Sequence, residues 1–248
     1  MKASIGIALA GLLALSPLWR LAPADAAAPL RCGPFTQDAL PPPEPRENAH
    51  ARAVFDKINT AVKTQPHRVL FLGDSLTERF DRGVWDEHMA PRGVLNAGIS
   101  GDRTENLLWR LEHGNLDGPP PQEIVLLIGT NDLGRDRTPD IAAEGIRANL
   151  LKLRQHLPAA DILLLGLWPR EDVPRIVQRH EIAAVNALIA ACDDGSRVHY
   201  RDLGGLLLEP DGRLSPQISS DRLHFNAQGY ARLVPSLDRE IDHLVAGR

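Results

Sequence analysis

The sequence has few cysteines, few aromatic residues and no excess of positive charge, and each scarcity argues against a class of function. Two cysteines in 248 residues are too few for a dense disulfide framework, and with scattered histidines they form no zinc-binding pattern. An aromatic content of 4% and a net charge of −4 argue against nucleic acid as a partner. No apolar run reaches the roughly 20 residues that a membrane-spanning helix needs, so we expect no stable membrane insertion.

The first 47 residues differ in composition from the rest of the chain. Lys2 precedes an apolar run, Ile5–Leu15, which an Ala-x-Ala site follows. This order is typical of a secretory signal peptide, here residues 1–26, and predicts an exported protein, either periplasmic or secreted. An uncleaved anchor is the alternative. Residues 27–47 contain several prolines and are predicted to be an extended leader before one domain, residues 48–248.

Cys32 and Cys192 could form a disulfide bond in an exported chain, because oxidising compartments permit such bonds. The bond would close a long loop and stabilise the fold by about 4–5 kcal/mol on the chain-entropy account. The spacing of the two cysteines carries no geometric information, so the sequence leaves both their bonded and free states open.

From Val69 onward, short apolar runs alternate with segments of helical spacing. The predicted strands are Val69–Leu72, Val94–Ala97, Ile124–Ile128, Ile162–Leu167 and Arg197–Asp202. The predicted helices are Asn48–Thr64, Thr77–Met89, Thr104–Glu112, Pro139–His156, Pro174–Cys192 and Asn226–Val245. Three strands are continuously apolar, as expected for parallel strands buried on both faces. The alternation predicts one three-layer α/β domain around a parallel sheet of about five strands.

Polar segments stand at four strand or helix ends where an apolar core does not need them. They are Gly73–Ser75, Asn96–Thr104, Gly129–Asp132 and Ser220–Asn226. The carboxyl ends of parallel strands share one crevice, so we expect these segments to meet there. Ser75, at the end of the first strand, is a candidate nucleophile, and a helix cap is its alternative role.

His224 is the candidate base among nine histidines. Asp221 precedes it by three residues in a loop, so its carboxylate can accept from Nδ1–H and leave Nε2 free for the Ser75 proton. The other histidines lie in or beside predicted helices or inside a strand, without such a partner. The Ser75 N–H, the Gly101 N–H and the Asn131 amide are candidate donors to an oxyanion. Ordinary turn roles are the alternatives for Gly101 and Asn131.

These motifs resemble the four sequence blocks of the SGNH/GDSL hydrolases, and they occur in the same order. The blocks are Gly73-Asp74-Ser75-Leu76, Gly101-Asp102, Gly129-Thr130-Asn131-Asp132 and Asp221-x-x-His224. Segments Asn96–Leu111 and Gly166–Arg170 are similar to the catalytic subunits of intracellular platelet-activating factor acetylhydrolase. The resemblance spans roughly Arg68 to Val245. It makes residues 48–248 an SGNH hydrolase domain and implies a flavodoxin-like α/β/α sandwich with sheet order 2-1-3-4-5.

The resemblance also implies roles for the candidate residues. It makes Ser75 the nucleophile, His224 the base and Asp221 its orienter, with an oxyanion hole from Ser75, Gly101 and Asn131 and with no metal or other cofactor. In the acetylhydrolase branch, residues beside the catalytic groups narrow the acyl pocket, and Leu76, Thr130 and Leu223 occupy the matching positions. We therefore predict a serine esterase for acetyl and similarly short esters of a small molecule or glycan. Because the related subunits pair, a homodimer is a further expectation.

Export is a departure from that branch, whose members are cytosolic. An exported O-acetylesterase of carbohydrate or peptidoglycan is therefore the alternative to a phospholipid acetylhydrolase. A flavodoxin-like sheet can also bind the phosphate of FMN after its first strand, so a phosphate- or flavin-binding module is a remote alternative. Asp74 would repel a phosphate there, and no Gly-x-x-x-x-Gly-Lys loop is present. A glycan-binding relative without catalysis has no support, because every catalytic residue type is present.

Overall fold

Five parallel strands form the middle layer of the fold. They are β1 (Val69–Gly73), β2 (Val94–Gly98), β3 (Glu123–Leu127), β4 (Asp161–Leu165) and β5 (Val198–Arg201). The computed structural model describes residues 30–134, 137–173 and 177–246, and in it the strands lie in the order β2-β1-β3-β4-β5. The predicted parallel sheet and its order 2-1-3-4-5 are therefore confirmed.

Helices cover both faces of the sheet. They are α1 (Ala49–Thr64), α2 (Ser75–Glu78), α3 (Arg82–Val84), α4 (Thr104–Glu112), α5 (Thr130–Leu133), α6 (Pro139–His156), α7 (Val177–Ala190) and α8 (Ala227–Ala246). Helices α1, α4, α6 and α7 pack on one face and α8 on the other. A π-helical turn, Trp85–Met89, and two 3₁₀ turns, Ala90–Arg92 and Gly204–Leu207, complete the elements. Within the described ranges, no helix is long and apolar enough to cross a membrane.

The strands have two apolar faces because successive side chains point to opposite sides of a sheet. In β1, Leu70 and Leu72 join the core under α1, α4, α6 and α7, whereas Val69 and Phe71 join the core under α8. All four are buried. This double burial explains the continuous apolar runs in the sequence and places the ends of the strands, rather than their faces, in reach of a substrate.

The predicted helix Thr77–Met89 is wrong, because the chain forms two shorter helices and a π-helical turn there. The Asp74 carboxylate caps α2 by accepting from the Leu76 N–H at 2.9 Å. The Asp81 carboxylate caps α3 by accepting from the Val84 N–H at 3.1 Å. Two N-caps so close together end one helix and begin the next. Asp74 therefore caps the helix, and Ser75 is its first residue.

The fourth strand also ends earlier than predicted, at Leu165 instead of Leu167. The Asn186 side chain takes the place of a strand partner beside Leu167, accepting from its N–H at 2.7 Å and donating to its carbonyl at 3.0 Å. Pro174, the predicted start of the following helix, lies outside the described residues. The other predicted ends agree with the structure to within two residues.

Residues 30–47 form no helix or strand and lie along the face that carries α4 and α6. A disulfide joins Cys32 to Cys192, just beyond α7. Arg147 of α6 donates from Nε to the Cys32 carbonyl at 2.9 Å, and the Phe35 N–H donates to Glu144 at 2.9 Å. The beginning of this leader is therefore fixed to two helices. The predicted signal peptide, residues 1–26, lies outside the described residues.

Replacing both Cys32 and Cys192 with serine is expected to lower the free energy of unfolding by up to about 5 kcal/mol, because the disulfide spans 160 residues. Urea denaturation followed by circular dichroism measures the difference. Reductant should destabilise the wild type by a similar amount and leave the double variant unchanged. Equal transition midpoints for the oxidised wild type and the double variant would contradict this expectation.

Candidate active site

A serine, a histidine and an aspartate form one hydrogen-bonded chain at the carboxyl edge of the sheet. Ser75 begins α2 immediately after β1, and the other two residues lie in the loop before α8. His224 Nε2 lies 2.8 Å from Ser75 Oγ, and His224 Nδ1 lies 2.7 Å from Asp221 Oδ2. In this arrangement the imidazole can accept the Ser75 proton while the carboxylate holds the opposite ring nitrogen.

The Asp221 carboxylate also organises its own loop. Its Oδ1 accepts from the backbone N–H groups of Leu223 at 3.1 Å and His224 at 2.8 Å. Partial burial raises the pKa of Asp221, but the hydrogen bonds from the His224 ring and from these N–H groups outweigh it and lower the pKa to about 2. Asp221 is therefore ionised at neutral and mildly acidic pH, as a group that selects the tautomer of His224 must be.

The turn that presents Ser75 requires glycine at its start. A Cβ on Gly73 would collide with the side chain of Thr77 and the carbonyl of Leu127. With the first turn of α2 capped by Asp74, the Ser75 N–H has no hydrogen-bond partner in the described part of the chain. Unpaired N–H groups at a helix start favour negative charge in front of them. The backbone beside the Ser75 hydroxyl is thus suited to an oxyanion.

The other two candidate donors lie on neighbouring loops. Gly101 has a φ of +81°, a conformation that favours glycine, and its N–H likewise has no partner among the described residues. The Asn131 side chain donates from Nδ2 to the carbonyl of Asp102 at 2.9 Å, which leaves its second amide hydrogen unpaired. This bond holds the Asn131 amide beside the turn of Gly101. The sequence-predicted donors are therefore carried by adjoining segments.

Arg110 was missed as a site residue by the sequence analysis, although it ties these segments together. Its buried guanidinium donates to the Gly73 carbonyl at 2.8 Å, to Asp102 Oδ2 at 2.7 Å and to Asn115 Oδ1 at 2.6 Å. Gly73 ends the strand that leads into Ser75, and Asp102 follows Gly101. Arg110 therefore limits the separation of two candidate oxyanion donors, the N–H groups of Ser75 and Gly101. The sequence indicates its importance only by placing this charged residue among the apolar residues of α4.

A second buried carboxylate, Asp132, holds the loop after β3 against α4. It accepts from the Thr104 N–H at 3.1 Å, from the Thr104 hydroxyl at 2.8 Å and from Arg137 at 2.9 Å. Arg137 also pairs with Glu105 at 2.6 Å. Because Asn131 precedes Asp132, this network limits the positions that the Asn131 side chain can take.

Each predicted acyl-pocket residue is the chain neighbour of a site residue. Leu76 follows Ser75, Thr130 precedes Asn131, and Leu223 precedes His224. Leu76 and Thr130 are buried and Leu223 is half-buried. The Leu76 carbonyl accepts from the Tyr230 hydroxyl at 2.8 Å, and the Thr130 carbonyl accepts from Arg170 at 3.2 Å. The backbone next to Ser75 and next to Asn131 is therefore held in place. In the described ranges, no cluster of His, Cys, Asp or Glu side chains could hold a metal ion.

Comparison with known proteins identifies the family. The model of the GDSL-like lipase/acylhydrolase family matches residues 71–232. The chain belongs to this family. The alpha2 subunit of platelet-activating factor acetylhydrolase IB from Rattus norvegicus is 34% identical over 198 residues, which cover 79% of this chain and 83% of that subunit. The predicted resemblance is confirmed, and the GDSL-like protein is a carboxylic ester hydrolase.

Solved structures of more distant proteins share the fold. A GDSL-like lipase from Bacteroides thetaiotaomicron superposes with a TM-score of 0.65 at 20% identity, over 79% of this chain and 98% of the lipase. An acetylxylan esterase from Geobacillus stearothermophilus superposes with a TM-score of 0.57 at 19% identity, over 73% and 95% of the two chains. At these identities the likeness shows the fold alone. Membership of the GDSL-like family favours hydrolysis over the alternative of a flavin- or phosphate-binding module.

Asp74, next to Ser75, is a buried carboxylate with one unsatisfied oxygen. Its Oδ1 accepts from the Leu76 N–H, whereas Oδ2 is shielded from water and has no partner within the described residues. The pKa of Asp74 is raised from 3.8 to about 7, mainly by burial and in smaller part by the nearby carboxylates of Asp102 and Asp132. Stability should therefore depend on pH through this residue.

The unfolded chain loses the Asp74 proton near pH 4, whereas the folded protein keeps it until about pH 7. The wild type should lose up to about 4 kcal/mol of unfolding free energy between these values relative to Asp74→Asn, which keeps the cap without titrating. Urea denaturation at pH 4.5, 6 and 8 measures this difference. Asp81→Asn, at the cap of α3, controls for the loss of cap charge. A difference independent of pH would refute the prediction.

Proposed function

We propose that the chain is a serine esterase that removes acetyl and similarly short acyl groups with Ser75, His224 and Asp221 as its catalytic triad. The observation that carries the proposal is the continuous hydrogen-bonded chain from Ser75 Oγ through the His224 ring to Asp221. It lies where the strands of an open α/β sheet end, which is the usual place for a substrate in such folds.

The proposed reaction has two halves. Ser75 Oγ attacks the ester carbonyl carbon while His224 Nε2 takes the hydroxyl proton, and the carbonyl oxygen becomes negatively charged. The N–H groups of Ser75 and Gly101 and the Asn131 amide would stabilise this oxyanion. His224 then gives the proton to the departing alcohol, which leaves an acylated Ser75. Water then attacks the acyl carbon while His224 takes one of its protons. The bond between the acyl carbon and Ser75 Oγ breaks, His224 returns the proton to Oγ, and the carboxylic acid is released.

Two tests address this mechanism with p-nitrophenyl acetate as substrate. Ser75→Ala should remove the activity, because no other group takes the place of the nucleophile. Asn131→Ala should lower kcat by about 10²–10³-fold, the usual effect of losing one oxyanion donor. An inactive wild type, or a Ser75→Ala variant of nearly full activity, would refute the proposal. A second amide variant, Asn149→Ala in the buried contact of α6 with α4, controls for general loss of stability.

The narrow acyl specificity rests on the three residues beside the site. Leu76 and Thr130 are buried next to the nucleophile and the Asn131 donor, and Leu223 adjoins the base. In this proposal their side chains would leave room for a small acyl group and would obstruct the methylene groups of a longer one. The proposed preference is therefore for acetyl over long-chain esters.

Leu223→Ala should change the acyl specificity, since it removes a half-buried side chain beside the base without touching the three catalytic groups. Steady-state kinetics with p-nitrophenyl acetate, butyrate and octanoate measure the preference. The wild type should favour acetate, and the variant should gain at least about tenfold in relative kcat/KM for octanoate, a usual size for a few methylene contacts. Leu206→Ala, on an exposed surface, is the control. An unchanged ratio would exclude Leu223 from the acyl pocket.

Export and a glycan substrate form the second part of the proposal. The Cys32–Cys192 disulfide favours an oxidising compartment, because disulfides persist there and are rare in the cytosol. The residues before the leader have the order of a signal peptide. In such a compartment, acetylated carbohydrate or peptidoglycan would be the substrate, and the acetylxylan esterase that shares the fold gives a precedent by its name. The similarity to subunits of platelet-activating factor acetylhydrolase supports a phospholipid substrate instead.

An acetate-release assay distinguishes these substrates. Purified protein is incubated with acetylated polysaccharides, with O-acetylated peptidoglycan and with an acetylated ether phospholipid, and Ser75→Ala serves as the blank. Faster release from a glycan supports the exported O-acetylesterase, whereas faster release from the lipid supports the phospholipid acetylhydrolase. Fractionation of the expressing cells shows whether the mature protein has left the cytoplasm.

A further inference from the structure

The leader brings an arginine onto the turn that carries Gly101. A Cβ added to Gly101 would lie only 2.6 Å from Nη2 and 3.1 Å from Cζ of Arg46, so the guanidinium lies directly on the glycine. Arg46 Nε is shielded from water and has no hydrogen-bond partner within the described residues. Placing a cation in this position is unfavourable unless a negative charge compensates it.

The compensating charge is Asp102, the residue after Gly101. Its carboxylate is almost completely buried, and burial is the main cause that raises its pKa. Arg110 and Arg46 both counteract this rise. Arg110 approaches the carboxylate from α4, whereas Arg46 approaches the turn from the leader. The turn is therefore held between two cations from separate parts of the chain.

Arg46 is fixed on both sides along the chain. Before it, the Glu44 carbonyl accepts from Asn106 at 3.0 Å, and the Glu44 carboxylate pairs with Arg103 at 3.3 Å. After it, the Asn48 side chain caps α1 by accepting from the Ala51 N–H at 2.8 Å. Contacts on α4 and at the start of α1 thus limit how far the guanidinium can move.

Small molecules can reach the guanidinium of Arg46 through a neighbouring cavity. A cavity of about 320 Å³ lies between the leader, α1 and α4, and Arg46, Phe55, Ile99, Asp102, Asn106 and Trp109 are among the residues that line it. Arg52 lines the same cavity, but its side chain is exposed, and within the described residues no hydrogen bond or ion pair joins it to Asp102. Arg52 is therefore a suitable control for Arg46, because it has the same charge but a different position in the cavity.

We propose that Arg46 is a positioning residue of the oxyanion hole, which makes the leader part of the active site. By packing on Gly101 and balancing Asp102, it keeps the Gly101 N–H directed into the crevice and adds positive charge near the developing oxyanion. This role rests on the proposed function, because it needs an oxyanion at Gly101. Its effect should therefore fall on kcat and leave KM nearly unchanged.

The experiment compares Arg46→Met, Arg46→Lys and the control Arg52→Met with p-nitrophenyl acetate. Arg46→Met should lower kcat at least about tenfold with KM within about twofold, since small displacements of a catalytic group are costly. Arg46→Lys should recover part of the loss, and Arg52→Met should match the wild type. Guanidinium ions at millimolar concentration should raise the kcat of Arg46→Met, but not that of Asn131→Ala.

A second measurement does not depend on activity. The Asp102 N–H closes the turn by donating to the Ile99 carbonyl at 3.1 Å, and its hydrogen exchange should be at least about tenfold faster in Arg46→Met than in Arg52→Met. If kcat of Arg46→Met equals that of the wild type, the role of Arg46 is overturned. The role is also overturned if kcat falls but neither Arg46→Lys nor added guanidinium recovers any of it. If the wild type is inactive on the ester, the proposed function is refuted, and the exchange measurement alone then tests the role of Arg46. Equal hydrogen exchange of the Asp102 N–H in Arg46→Met and Arg52→Met would show that Arg46 does not position the turn.

Discussion

The geometry of the site depends on the buried guanidinium of Arg110. It joins the Gly73 carbonyl, at the end of the strand that leads into Ser75, to the carboxylate of Asp102. Asp102 in turn follows Gly101 and accepts from the Asn131 amide through its own carbonyl. A single cation thus links the segments that carry the three candidate oxyanion donors. Losing one partner of a buried ion pair usually costs about 3–5 kcal/mol, so this geometry is coupled to the stability of the fold.

The arrangement of charge around the site is unusual for a reaction that develops negative charge. Three buried carboxylates, Asp74, Asp102 and Asp132, are chain neighbours of the candidate oxyanion donors, and their field would oppose an oxyanion. Each is balanced differently. Asp102 faces Arg110, and Asp132 accepts from Thr104 and Arg137. Burial raises the pKa of Asp74 to about 7, so this carboxyl reduces its charge by keeping a proton. The arginines therefore both support the loops and offset a local field that would slow the proposed chemistry.

Most of the sheet and the order of the site segments could be predicted, because both follow from local patterns. A buried parallel strand is a short apolar run, and a strand end with polar residues marks the crevice. The break after Glu78 was missed, because helical spacing continues across it while Asp74 and Asp81 each cap a helix. The role of Arg110 could not be predicted. Its three partners lie on separate segments, and no spacing rule relates them to one position in α4.

The leader also shows what composition alone does not predict. Its prolines predict an extended leader, but they do not predict the contacts that tie it to the helices of the domain. A disulfide fixes one end at Cys32, and the cap of α1 fixes the other at Asn48. Neither contact alone would determine the position of Arg46, since a chain held at one end keeps most of its conformational freedom. Held at both ends, and at Glu44 between them, the leader can place a cation on Gly101 with little further loss of entropy. A proline-rich segment suits this purpose, because its backbone is already restricted before folding.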